Sequence, residues 1–124
     1  MKKLLIVFIS VALAAFIISF KMVSSKIVGN WSAKDEKGHV TTIRFSDNGK
    51  FLAKIPAEHF IVAGQYRVDN KTLSLSDTSC NKAYWGKYAM DFHGNDSVYL
   101  HVIADTCKGR RLDADNSLLV RDRR

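Results

Sequence analysis

The chain has one proline and two cysteines, and beyond its first 25 residues no stretch carries the apolar period of a three-turn helix. The missing helical period excludes a helical bundle and an alternating α/β fold. Two cysteines allow one disulfide with one connectivity, and they exclude a cysteine-rich zinc module. Four histidines, His39, His59, His93 and His101, are dispersed, and none has a histidine or cysteine at metal-ligand spacing. No Gly-x-Ser-x-Gly elbow or comparable nucleophile setting occurs. These gaps lead to no assigned catalytic residue, no metal site and no cofactor.

The one long apolar run, Leu4 to Phe20, follows Met1-Lys2-Lys3 and has the form of an export signal. Val23-Ser24-Ser25 offers a small-residue cleavage site, so residues 1–25 are expected to be a signal peptide and residues 26–124 the folded domain. The competing reading keeps the run as an N-terminal membrane anchor, with membrane contact confined to residues 4–20; its length is at the lower edge for a spanning helix. No cysteine follows the run, which excludes a lipoprotein anchor. The expected location is therefore periplasmic or secreted, or alternatively membrane-anchored.

The formal charge is +7. Setting aside Lys2, Lys3 and Lys21 leaves sixteen basic against twelve acidic residues, or +4. Lys108, Arg110 and Arg111 form one basic cluster, and Arg121, Arg123 and Arg124 another. No recognition helix, RNA-binding sheet signature or interleaving of aromatic and basic residues accompanies them, so nucleic acid is not an expected partner.

From Lys26 onward the apolar period is two. Strands are expected from Ile27 to Ser32 with Trp31 inward, from Val40 to Ser46, and from Phe51 to Ile55. Asp47-Asn48-Gly49 joins the second and third as a hairpin, with positive φ expected at both central turn residues. Pro56 ends the third strand, and Ala57 to His59 fits a short helical turn. Val62 to Val68, Leu73 to Ser76, Trp85 to Phe92, Ser97 to Ala104 and Ser117 to Arg121 complete the set. Eight short strands and tight turns predict an all-β fold, a small antiparallel up-and-down eight-stranded barrel, with a flattened sandwich as the alternative.

Two segments share one pattern: Gly64-Gln65-Tyr66 through Asp77 to Cys80, and Gly86-Lys87-Tyr88 through Asp105 to Cys107. An exported domain with two cysteines predicts the disulfide Cys80 to Cys107. Asp77 and Asp105 precede the cysteines in both copies. A general acid and base pair is one reading of them; their symmetric placement favours side chains that accept backbone N–H groups and hold the turn presenting each cysteine. Asp105 is also placed to pair with Arg110 or Arg111.

Gly29-Asn30-Trp31 early, with Arg110 or Arg111 late, resembles the Gly-x-Trp and late-arginine pair of lipocalin and calycin barrels. The run Asp105-Thr106-Cys107-Lys108-Gly109-Arg110 resembles endings of small bacterial secreted lipocalin-like domains. The resemblance covers about residues 27 to 121. It implies a structural lock in which Arg110 or Arg111 lies over the Trp31 indole, fastening the first and last strands. The chain is shorter than ordinary lipocalins and lacks an evident C-terminal helix beside the barrel.

The resemblance implies a non-enzymatic exported module that binds a small hydrophobic ligand or envelope component. Phe45, Phe51, Tyr66, Tyr88, Met90 and Phe92 are the candidate lining residues, with the two tyrosine hydroxyls orienting the ligand; a core packed by the same side chains is the competing expectation. The alternative function is a protein-binding module, such as an inhibitor of an envelope hydrolase or an immunity-type protein, using exposed loops and Trp85 as an anchor.

Overall fold

The computed structural model describes residues 26–123. The signal or anchor segment at residues 1–25 lies outside the described residues. Among the described residues no helix is long and apolar enough to cross a membrane.

The alternating pattern folds as eight strands: β1 Gly29–Lys34, β2 Val40–Phe45, β3 Lys50–Ile55, β4 Phe60–Asp69, β5 Thr72–Asp77, β6 Gly86–His93, β7 Ser97–Ala104 and β8 Ser117–Arg121. Each strand pairs antiparallel with the next, and β1 pairs with β8 through Trp31 opposite Arg121 and Ser32 opposite Val120, which closes the barrel. Closure excludes the sandwich and leaves no open sheet edge. A single 3-10 turn spans Pro56–Glu58, one residue earlier than the helical turn expected at Ala57 to His59. One element was not expected, a two-turn helix α1 at Lys108–Ala114.

The β2–β3 turn differs from the expected form. Ser46 N–H donates to Lys50 O at 2.9 Å and Gly49 N–H to Ser46 O at 3.3 Å, and only Gly49 of the Asn-Gly pair takes a positive φ, 81°. This three-residue loop needs one left-handed residue, whereas the two-residue hairpin needs two.

Inward positions supply one core, with Trp31, Tyr88, Leu73, Val98, Ile27 and Leu119 fully buried and Phe45, Phe51, Tyr66, Leu75, Met90 and Leu100 around them. The Tyr66 ring meets Phe45 edge-on at 5.0 Å.

The lock on Trp31 exists, but its arginine is Arg121 and not Arg110 or Arg111. The Arg121 guanidinium lies 4.2 Å from the indole centroid and donates to Val28 O at 2.9 Å, Lys26 O at 2.8 Å and Asn95 O at 2.9 Å. Trp31 Nε1 donates to Ile27 O at 2.8 Å. The reason is register: Arg121 is the cross-strand partner of Trp31, whereas Arg110 belongs to α1 and Arg111 points to solvent. Gly29 serves the same contact, since a Cβ there would stand 2.7 Å from Arg121 Nη1.

Arg121→Lys keeps the charge but not the planar fork that reaches three carbonyls while covering an indole. It is expected to destabilise the barrel by roughly 2 to 3 kcal/mol in chemical denaturation. Wild-type stability in that variant would contradict the lock.

Candidate functional site

The two copies of the repeated pattern converge on one side chain. Arg110, carried by the first turn of α1, inserts its guanidinium between Asp77 at the end of β5 and Asp105 just after β7. Arg110 Nε donates to Asp105 Oδ2 at 2.7 Å, Nη2 to Asp105 Oδ1 at 2.9 Å and Nη1 to Asp77 Oδ2 at 3.0 Å. The Asp105 side chain is fully shielded from solvent, and those of Asp77 and Arg110 are 2% and 6% exposed. Three buried charges survive because each is paired and hydrogen-bonded.

Each carboxylate also holds its turn, as the symmetric placement predicts. Asp77 Oδ1 accepts the Ser79 N–H at 2.9 Å and Asp105 Oδ1 accepts the Cys107 N–H at 2.9 Å. The turns deliver the two sulfurs, which form the disulfide Cys80–Cys107 with Cα atoms 5.9 Å apart. The glycine of each repeat makes the room. A Cβ on Gly64 would lie 2.8 Å from Asp77 Cβ, and one on Gly86 would lie 2.4 Å from Asp105 Oδ2. The second tyrosine completes the cluster, its hydroxyl donating to Asp105 Oδ2.

The electrostatics follow from burial and partners. Burial works to raise the Asp105 pKa, but hydrogen bonds from Arg110, Tyr88 and the Cys107 N–H outweigh it and hold the carboxyl below its ordinary value. Burial and then the Asp105 contact push the Tyr88 phenol up. For Arg110, burial opposes the charge and the two carboxylates more than offset it. A permanently charged arginine, an ionised Asp105 and a protonated phenol, all engaged with one another, form a structural clamp.

The candidate ligand residues are distributed differently from expectation. Phe45, Phe51, Tyr66, Tyr88 and Met90 belong to the buried core. Both tyrosine hydroxyls are held by protein acceptors, Tyr66 on Ser46 O at 2.5 Å and Tyr88 on Asp105, so neither points at a ligand space. Met90 and the half-buried Phe92 instead line a cleft of about 320 Å³ with Lys26, Ile27, Val68, Asn70, Lys71 and Asp91. Lys26 Nζ lies 4.4 Å from the Phe92 centroid. The cleft is at the end of the barrel where β4 turns into β5, away from the clamp. Sequence reasoning missed Ile27 and Val68 there, because the cleft depends on where the chain before β1 crosses the barrel end.

Trp85 is half-buried on the outer face with Arg67 stacked 3.9 Å from its ring centroid. His93 pairs with Asp91 at 3.3 Å and His39 with Asp35 at 3.1 Å, both exposed. Among the described residues no group of three or more histidine, cysteine or acidic side chains could hold a metal. Comparison of the chain with protein-family models, with curated proteins and with solved structures finds no match.

Because its folded pKa is lowered, ionised Asp105 contributes stability that is fully present above the ordinary value of 3.8 and is lost as pH falls through the folded value. The denaturation midpoint of the wild type should therefore fall steeply below about pH 4. Asp105→Asn should flatten that acid limb. At neutral pH, Asp105→Ala leaves Arg110 half-paired in the interior and is expected to cost about 3 to 5 kcal/mol; a cost near zero would contradict the clamp.

Proposed function

We propose that the protein is an exported, non-enzymatic binding module of lipocalin-like type whose ligand is a small hydrophobic molecule taken at the end of the barrel. The observation that carries this reading is the cleft of about 320 Å³, within the lower range of small-ligand sites. Its lining divides evenly between apolar residues, Ile27, Val68, Met90 and Phe92, and polar or charged ones, Lys26, Asn70, Lys71 and Asp91, which suits a small amphipathic molecule with an apolar body. Apolar area supplies affinity in such a site, and the scattered polar groups fix orientation.

Three features support the rest of the reading. The disulfide suits an oxidising compartment, in keeping with the signal-like segment at residues 1–25. The Trp31 lock, a barrel of eight strands and the Asp105 to Arg110 segment are consistent with the lipocalin resemblance. The buried carboxylates Asp77 and Asp105 are both engaged by Arg110 in the clamp, which commits this acidic pair to a structural role. The protein-partner reading rested on Trp85 as an exposed anchor, and the Arg67 contact covers that ring.

Titration with a hydrophobic fluorescent dye tests the proposal. Saturable enhancement is expected in the wild type, with at least a tenfold loss of affinity in Val68→Phe, which fills the cleft. Arg111→Gln, on the exposed face of α1, should leave it unchanged. Retention of wild-type affinity in Val68→Phe, or no saturable binding in the wild type, would overturn it.

A further inference from the structure

The cleft beside Phe92 carries a charge asymmetry that its apolar residues do not explain. Two of the residues around it are lysines, Lys26 in the chain entering β1 and Lys71 in the turn between β4 and β5. The third charged residue is Asp91, but strand alternation turns it away. Met90 and Phe92 on either side of it face the interior, so the Asp91 carboxylate lies on the outer face of β6. There His93 Nε2, on the same outer face, meets it at 3.3 Å. The charge presented to the cleft is therefore positive.

Neither ammonium has a counter-charge. Among the described residues Lys26 and Lys71 form no ion pair, and their side chains form no hydrogen bond. What meets Lys26 is a ring, with its Nζ 4.4 Å from the Phe92 centroid. The ring face attracts the charge without accepting a conventional hydrogen bond, so the three N–H donors stay available to an anion. The same contact sets a cation directly against the apolar side of the cleft. The main chain of Lys71 is fixed beside it, because its carbonyl accepts the Met90 N–H at 2.8 Å. Asn70 before it takes a left-handed φ of 56°, which an asparagine tolerates.

Given that the cleft is the binding site, we infer that its ligand is an amphipath with an anionic head group, a carboxylate or a phosphate monoester on a hydrocarbon body. The body lies on Ile27, Val68, Met90 and Phe92, and the head meets Lys26 and Lys71. A wholly apolar ligand would cover two ammonium groups and remove their hydration with nothing in exchange. A cationic head would be repelled by both. An anionic head on an apolar body satisfies the two halves of the cleft at once.

Displacement of a neutral hydrophobic dye from the purified protein by decanoate, decyl phosphate, decanol and decyltrimethylammonium, all below their micelle-forming concentrations, tests the assignment. The four share one alkyl chain and differ in head group. Both anions are expected to compete about tenfold more tightly than decanol or the ammonium, since one solvent-exposed lysine contact contributes about threefold to fivefold. Which anion competes better distinguishes a carboxylate from a phosphate head. Lys26→Met and Lys71→Met keep an apolar stem and should each lower the ratio of decanoate to decanol affinity by about threefold to fivefold. A change of packing alone would not move that ratio. Lys87→Met, on the outer face of β6 at the clamp end, should leave the ratio at its wild-type value. Affinities for the anions no greater than those for decanol or the ammonium, or a wild-type ratio when both cleft lysines are replaced, would overturn the anionic head and leave the cleft as a binding site. Failure of all four compounds to displace the dye would overturn both.

Discussion

A single guanidinium, carried by α1 and buried at one end of the barrel, determines how the two repeats are arranged. Arg110 is too far from water to be solvated, so it persists as a cation only where anions surround it. Asp77 and Asp105 fulfil that requirement, one from each repeat. Satisfying them in turn dictates the local sequence: a glycine opposite each carboxylate, a turn whose N–H groups face it, and a cysteine delivered immediately afterward. The disulfide then ties the β5–β6 connection to the start of the helix that carries Arg110. Ion cluster and covalent bond hold the same two loops, and neither geometry is easily reached without the other.

The opposite end of the barrel is held by a different arginine with a different logic. Arg121 is only partly buried and relies on carbonyl oxygens and the face of Trp31 instead of carboxylates. It joins the chain entering β1 to the end of β8, so it secures closure, while Arg110 secures the loops. Between the two lies a core filled by aromatic and aliphatic side chains. That division leaves the cleft beside Lys26 and Phe92 where the core meets solvent at the barrel end.

Much of this was legible in the residues. Ser97 to Ala104 and Ser117 to Arg121 were readable as strands to their end residues, because Val98, Leu100 and Val102 recur at period two in the first and a short apolar run, Leu118 to Val120, marks the second. The turn role of Asp77 and Asp105 followed from symmetry between the repeats. The helix at Lys108–Ala114 did not, since two turns containing Gly109 are too short to show a period; the helix exists because the disulfide and the clamp hold its first turn in place. The assignment of the tryptophan lock to Arg110 or Arg111 failed for a related reason. Chain order cannot distinguish an arginine before the last strand from one at its end, and only the β1–β8 register puts Arg121 across from Trp31. The site was least legible of all: inward alternation names the residues that face the interior without saying which of them meet a cavity, and the large aromatics that suggested a ligand are the ones that fill the core.

The central claim, that both repeats act through one cation, is tested by a thermodynamic cycle. Asp77→Asn and Asp105→Asn would be measured by chemical denaturation in the wild type and in an Arg110→Met background. With Arg110 present, each substitution removes a partner from a buried charge and should destabilise. With Arg110 replaced, each instead removes an unpaired buried carboxylate and should be neutral or stabilising. That reversal of sign is the result predicted here; equal destabilisation in both backgrounds would contradict it.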